Sequence, residues 1–132
     1  MDMEDLGKLV ARLTVGVLML FHGMHKVLDG ISGIKQMVVA HGLPDLLANG
    51  VYLGEVVGPI LVILGLYARI GGALIAINMI VAVALAGMGS LLALDPHFGG
   101  YALELEAFYL FGGVAVMLLG AGRFAIAGGR WN

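Results

Sequence analysis

The sequence predicts an all-α integral membrane protein: a bundle of four transmembrane helices, with a short amphipathic segment between the first helix and the second. Its 132 residues are 61% hydrophobic and 12% charged, and the mean hydropathy is +1.02. A chain of this length can bury only about two thirds of its surface, so most of it needs lipid as its solvent. The apolar residues also fall into four long runs, and a helix needs about 20 such residues to cross a bilayer.

These four runs define the predicted spans, which form one domain over residues 1–132. The spans cover about 6–28, 51–67, 70–94 and 101–120. Only the stretch "ARI" lies between the second and the third, which predicts a tight helical hairpin. The stretch "LDPHFGG" (94–100) contains strong helix breakers and predicts a turn before the fourth span.

The segment 29–50 is too polar and too interrupted to cross a membrane. Its apolar residues Ile31, Ile34, Met37 and Val38 recur at helical spacing. This pattern predicts a short amphipathic helix that lies on the membrane surface or folds back into the bundle. The alternative is a plain loop with one helical turn.

The distribution of basic residues predicts the orientation. With four spans both termini lie on one side, and five of the seven basic residues fall there: Lys8, Arg12, Arg69, Arg123 and Arg130. The positive-inside rule then places both termini in the cytoplasm. The remaining two, Lys26 and Lys35, fall on the outer side.

Composition excludes several classes of function. The chain has no cysteine, which excludes disulfide chemistry, thiolate metal sites and thiol relays within it. The net charge of −2 is not that of a nucleic-acid-binding protein.

Polar side chains from different spans fall at a similar depth in the predicted bundle. Each ionisable group in a span costs roughly 2.5–3.5 kcal/mol unless it finds a partner. We therefore expect an outward-facing polar pocket within the bundle, and the candidate residues are His22, Lys26, Glu55, Glu106, Glu104, Asn78 and Arg12. The alternative is structural: Lys26 and Glu104 reach the lipid headgroups, and Glu55 and Arg12 are structural partners of other helices. A further interpretation of Arg12 is an anchor at the cytoplasmic side.

Such a pocket has the groups that a quinone needs. A quinone headgroup is planar and apolar with two carbonyl acceptors. His22 and Lys26 supply donors, while Glu55 and Glu106 supply proton relays. A metal is an alternative, because His22, Glu55, Glu106 and His97 are suitable ligands for zinc or iron, although no pair has ligand spacing along a helix. A haem held by His22 and another histidine is a further alternative.

Several motifs together resemble the DoxX family of small four-helix bacterial membrane proteins. These are "RLTVGVLMLFHGMHKVLDG", "YLGEVVGPILVILGLYARIGG" and the closing "LLGAGRF". The resemblance extends over nearly the whole chain and rests on Arg12, His22-Gly23-x-x-Lys26, Glu55 with Gly65 and Arg69, a glutamate in the fourth span, and Gly120-Ala-Gly122-Arg123. It implies a bacterial cytoplasmic (inner) membrane protein, associated with redox systems and related to the membrane subunit of thiosulfate:quinone oxidoreductase.

Three hypotheses of function follow. The first is a membrane subunit of a redox complex that binds quinone or another small ligand, and that takes electrons from a soluble redox partner protein. The second is a non-catalytic scaffold or lipid-binding protein, and the third is a small transporter or proton pathway. Membrane lipid is a partner in each, and the glycine-rich helix faces allow packing within the chain or in a homo-oligomer.

Overall fold

The fold is helical throughout the part of the chain that the structure describes. A computed structural model gives residues 2–132 as five α-helices joined by shorter helical turns and loops, with no β-strand in that range. The helices are α1 (Met3–Asp29), α2 (Ser32–Ala40), α3 (Gly58–Leu64), α4 (Ala68–Ala82) and α5 (Glu104–Leu119). Wider π turns cover Leu53–Val57 and Val83–Gly87, and 3₁₀ turns cover Asp45–Gly50 and Met88–Ser90. The all-α prediction is confirmed.

Three helical stretches are long and apolar enough to cross a membrane, namely Met3–Asp29, Asp45–Leu64 and Ala68–Ser90. They correspond to the first three predicted spans, although the second begins six residues earlier than expected. The fourth predicted span contains α5, whose 16 residues rise only about 24 Å. The structure therefore does not confirm four spans. Residues 101–103 form a turn, and Leu94 pairs with Tyr101 across the preceding loop, so α5 starts later than predicted.

The segment between the first two spans folds back onto the bundle. It contains α2 and the 3₁₀ turn, as the helical spacing of its apolar residues predicts. Ile31, Val38 and Ala48 are buried together in a small second core. Leu85, near the end of the third membrane-crossing stretch, packs against this core. The alternative of a plain loop is wrong, since residues 32–40 form α2. Burial of its apolar face in the second core stabilises this helix.

The second and third stretches form the predicted hairpin, but its turn is Gly65 to Tyr67. The stretch "ARI", predicted to be the turn, is the start of α4. Gly65 has φ 68° and ψ 44°, and Tyr67 has φ 49° and ψ 44°. Both lie in the left-handed region, which reverses the chain within one turn. The C-terminal segment packs beside this turn, where the amide of Ile126 donates to the carbonyl of Leu64 at 3.1 Å.

A buried arginine joins this end of the bundle. Arg12 is 1% exposed. Its guanidinium donates to the carbonyls of Val62 (2.9 Å) and Ile63 (3.1 Å) at the end of α3. It also donates to Ala121 (2.8 Å) and Phe124 (2.7 Å) in the C-terminal segment. Arg12 therefore satisfies carbonyls that the end of α3 and the turn after α5 leave free. It is neither a pocket residue nor an anchor exposed at the membrane surface.

The membrane-crossing helices approach each other through glycines. The closest approach is at Gly23 of α1, where a Cβ atom would lie 1.8 Å from the carbonyl oxygen of Glu55. Pro59 has no amide hydrogen to donate to that carbonyl. The helix of the second stretch is irregular at this point, and α1 packs directly against it. No side chain larger than hydrogen fits at position 23 without displacing one of the two backbones.

Gly23→Ala will therefore destabilise the protein. We expect a loss of about 1–3 kcal/mol, the usual cost of overpacking, seen as a lower melting temperature in mild detergent. Gly7→Ala is the matched control, since Gly7 lies on the same helix with nothing within 4 Å of the added Cβ. The control is expected to be neutral or stabilising by up to about 1 kcal/mol. Equal melting temperatures for the two variants would contradict this packing.

Arg12→Lys will also destabilise the protein, because an ammonium group cannot reach four carbonyls that surround a planar guanidinium. Unsatisfied buried carbonyls cost roughly 1–3 kcal/mol each. Thermal unfolding of the purified variant measures the effect. Arg123→Lys, at an exposed position, is the control and is expected to unfold like the parent protein.

Candidate functional site

Glu55 is the centre of a polar cluster that joins three membrane-crossing stretches. It is 5% exposed. Its Oε1 accepts a hydrogen bond from Nζ of Lys26 on α1 at 2.5 Å, and its Oε2 accepts one from Nδ2 of Asn78 on α4 at 3.0 Å. Both carboxylate oxygens are thus paired. Of the seven predicted pocket residues, the structure joins Lys26, Glu55 and Asn78 by these hydrogen bonds.

Local backbone geometry brings the three side chains together. Glu55 lies in the π turn Leu53–Val57, whose last amide, that of Gly58, donates to the carbonyl of Leu53. A π turn is wider than an α-helical turn and is often found at functional sites. Gly54 lies directly against Asn78, since a Cβ on Gly54 would lie 2.2 Å from Cβ of Asn78. The absence of a side chain at Gly54 lets α4 approach closely enough for the amide of Asn78 to reach the carboxylate.

The cluster keeps unused hydrogen-bond donors. Lys26 has three N–H donors and Asn78 has two. Each residue donates one hydrogen bond to Glu55, which leaves two donors on Lys26 and one on Asn78. The side chain of Lys26 is 23% exposed, so its remaining donors are accessible. Because Glu55 neutralises Lys26, the cluster has donors to offer without a net charge. Such a site suits a neutral ligand with carbonyl acceptors.

A cavity of about 590 Å³ lies beside the cluster. Lys26, Glu55 and Asn78 line it at one place, which we call the polar floor. The other lining residues are almost entirely apolar and come from α2, the 3₁₀ turn, the π turn and α4. They include Met37, Val38, Leu47, Ile77 and Val81. The volume and the few polar groups are typical of small-molecule sites, which measure about 300–1,000 Å³.

The remaining predicted pocket residues lie elsewhere. His22 is exposed on α1 with its ring edge-on to that of Tyr109, at a centroid distance of 5.6 Å. Glu104 is exposed and lines a separate groove of about 720 Å³ between α1 and α5. Glu106 is half-buried on α5 and lines neither cavity. The prediction of a single pocket with these residues in its wall does not match the geometry, because α1 turns Lys26 and His22 toward different neighbours.

The four candidate metal ligands do not converge. Within residues 2–132 there is no group of three or more His, Asp or Glu side chains that could hold a metal ion. His97 lies in the exposed turn after Asp95, with its ring against Phe98. Glu55 already has both oxygens engaged by Lys26 and Asn78.

Two contributions to the site are not apparent from the motifs. The segment that contains α2 and the 3₁₀ turn supplies one wall of the cavity, although its sequence indicates only an amphipathic helix. The hydroxyl of Tyr52 donates a hydrogen bond to the carbonyl oxygen of Lys26 at 3.4 Å. This bond connects the end of α1 to the second stretch. The apolar face of α2 is the sequence feature that could have predicted this wall of the cavity, because an apolar face is stable only when it packs against another surface.

These features define a small helical membrane protein in which a partly buried Lys–Glu–Asn cluster joins the membrane-crossing helices beside an apolar cavity. The family model for DoxX matches residues 7–88, which is more than half of the chain and includes all three cluster residues. The protein belongs to the DoxX family. The matched region ends before α5, so Glu104 and Glu106 lie outside it.

A curated relative shares part of the chain. The protein is 34% identical over 79 residues to "Putative oxidoreductase CatD" of Bacillus subtilis (strain 168), covering 60% of this chain and 58% of the relative. The match thus spans less than two thirds of the relative's length. No solved structure gives a significant match.

The Lys26–Glu55 pair will show strong coupling in a double-mutant cycle. Lys26→Met alone leaves a buried carboxylate without its cation, which costs about 3–5 kcal/mol. Glu55→Gln in the same chain removes that charge and will recover part of the loss. We expect a coupling free energy of about 1–3 kcal/mol from thermal unfolding. Additive effects of the two substitutions would show that the pair does not form.

Proposed function

We propose that this protein is a membrane subunit of a redox complex, and that its cavity binds a quinone or a similar small carbonyl ligand at the polar floor. The observation that carries the proposal is the set of unused donors on Lys26 and Asn78 at the end of an apolar cavity. The relative from Bacillus subtilis is named as an oxidoreductase, which supports a redox role.

The chemistry of a quinone fits the donors and walls of this cavity. One carbonyl oxygen accepts from Lys26 and Asn78, while the ring lies among the aliphatic side chains. A neutral ligand leaves the charge balance of the Lys26–Glu55 pair unchanged, which matters because an unbalanced charge is costly at membrane depth. Negative charge that develops on the ligand oxygen during reduction is stabilised by the ammonium group of Lys26.

The electrons need a source outside this chain. The sequence has no cysteine for a thiol relay. We therefore propose a soluble redox protein or another subunit as the donor. The polar floor then binds and orients the ligand and stabilises charge on it, and the protein is one component of an oxidoreductase rather than the whole enzyme.

We further propose that α5 is a fourth crossing and that both termini face the cytoplasm of a bacterial cell. The amide of Arg123, after α5, donates to the carboxylate of Asp5 at 3.1 Å, near the start of α1. The two ends of the chain thus meet at one end of the bundle, as an even number of crossings requires. Most basic residues also belong to this end, in keeping with the positive-inside rule.

A structural role for the cluster is the second candidate. Both oxygens of Glu55 are satisfied within the protein, which is also what a purely structural ion pair between helices needs. In that case the protein is a scaffold or a lipid-binding protein, and the cavity holds exchangeable acyl chains.

Native mass spectrometry of the protein in mild detergent with added menaquinone-4 separates the two candidates. We expect a one-to-one adduct of the quinone. Lys26→Met and Asn78→Ala are expected to lower its occupancy by about 10-fold or more, as the loss of a donor to a ligand carbonyl implies. Lys35→Met is the matched control, because Lys35 is exposed on α2 and does not line the cavity.

The opposite result supports the structural role. A spectrum with phospholipid adducts alone, or a quinone adduct that Lys26→Met does not weaken although the variant folds, would contradict quinone binding at the polar floor. Visible absorption of the same sample tests for haem, and metal analysis tests for zinc or iron.

A further inference from the structure

We infer that the cavity opens sideways into the hydrocarbon of the bilayer, between the second and third membrane-crossing stretches, and that its ligand carries a long apolar tail. The inference rests on the proposed function, since it adds an entry path and a tail to the ligand bound at the polar floor.

The cavity runs from an exposed apolar rim to the polar floor, where Glu55 is buried. The rim residues Leu47, Leu53, Ile77 and Val81 are 58%, 53%, 57% and 48% exposed. Deeper lining residues are buried, with Ala48 2% and Val38 4% exposed. The four rim residues are the most exposed of the large apolar side chains that line the cavity, and we place its opening, the mouth, between them.

The mouth lies at membrane depth. Leu47 and Leu53 belong to the stretch Asp45–Leu64, and Ile77 and Val81 belong to Ala68–Ser90. Both stretches are long and apolar enough to cross a bilayer. Large aliphatic side chains exposed on both of them are stable against acyl chains and unfavourable against water. The opening between the rim residues of the second stretch and those of the third therefore faces lipid.

The end of the cavity nearest the end of α1 is covered. Ile34, Met37 and Val38 of α2 line the cavity there, and Val38 is held in the small second core with Ile31 and Ala48. The sequence predicts a pocket that opens at the outer surface, but α2 lies across that route. A molecule dissolved in the bilayer then reaches Lys26 between the second and third stretches, with its headgroup first.

A tailed ligand fits this arrangement better than a compact one. Its carbonyl headgroup reaches the donors of Lys26 and Asn78, and its tail leaves between Leu47 and Ile77 into the surrounding lipid. The aliphatic rim then contacts the first units of an isoprenoid chain, whereas a ligand without a tail leaves the rim in contact with phospholipid. Isoprenoid quinones are the class with this combination of head and tail.

Two naphthoquinones with the same ring system test the inference in nanodiscs: menaquinone-4 has an isoprenoid tail and menadione has none. Occupancy is measured at equal mole fraction of quinone in the lipid, so that partition into the bilayer is the same for both. We expect at least 10-fold higher occupancy for menaquinone-4. Ile77→Trp narrows the opening of the cavity. It is expected to lower the occupancy of menaquinone-4 about 10-fold and to change the occupancy of menadione less than twofold.

The matched control is Ile80→Trp. Ile80 lies on the same helix, is also 57% exposed and does not line the cavity. It is expected to change neither occupancy. Equal occupancy of the two quinones, or equal sensitivity of both to Ile77→Trp, would overturn the assignment of a tail.

A second measurement tests the mouth without any quinone. In a Trp131→Phe background the added tryptophan is the only one in the chain. The fluorescence of the Ile77→Trp variant is expected to be quenched by phospholipids brominated along the acyl chain, as strongly as that of Ile80→Trp. Weak quenching at position 77 alone would overturn the lateral opening.

Failure of the proposed function gives a different pattern. If neither quinone binds the parent protein, the proposal of quinone binding is wrong, and so is the inferred class of ligand. The quenching result then still decides whether the cavity opens to lipid.

Discussion

The carboxylate of Glu55 holds the middle of this protein together. Three stretches of chain that are far apart in sequence meet at its two oxygens, through the ammonium of Lys26 and the amide of Asn78. In hydrocarbon an unpaired carboxylate is costly, so the helices are stable only in arrangements that keep both partners in place. The rotation of α1 and the approach of α4 are constrained accordingly.

The backbone is adapted to this constraint. Pro59, the π turn around Glu55 and the glycines at positions 23 and 54 bring the main chains closer than regular helices with side chains would permit. The cavity lies beside the same π turn, and Leu53, Gly54 and Glu55 line it. Close packing of the helices and an open volume thus adjoin at one irregularity in the second stretch.

Sequence reasoning predicts the cluster better than its surroundings. Asn78 is the only uncharged polar side chain deep in the third predicted span, and Glu55 lies four residues before the helix breaker Pro59, so both stand out. His22 and Lys26 are four residues apart, which suggests a shared face. The structure separates them, because the crossing of helices sets which side of α1 meets which neighbour, and spacing along one helix carries no information on that crossing.

Arg12 shows a second limit. A basic residue near the inner end of a span is typical of a membrane anchor, and no pattern indicates that its partners are carbonyls more than 100 residues away. The amphipathic face of α2 is visible in the sequence, but the surface that it covers is formed only when the rest of the bundle is assembled. Short-range patterns predict these elements, and long-range packing decides their roles.

The bonds of Arg12 also set an order of events during synthesis. Arg12 is synthesised more than 100 residues before two of its partners, Ala121 and Phe124. Until they arrive, its guanidinium has to remain near water or headgroups, with two of its four carbonyl partners missing. This end of the bundle therefore closes only after the segment with Ala121 and Phe124 has been made, and until then the chain depends on the insertion machinery or the lipid headgroups to keep this charge solvated.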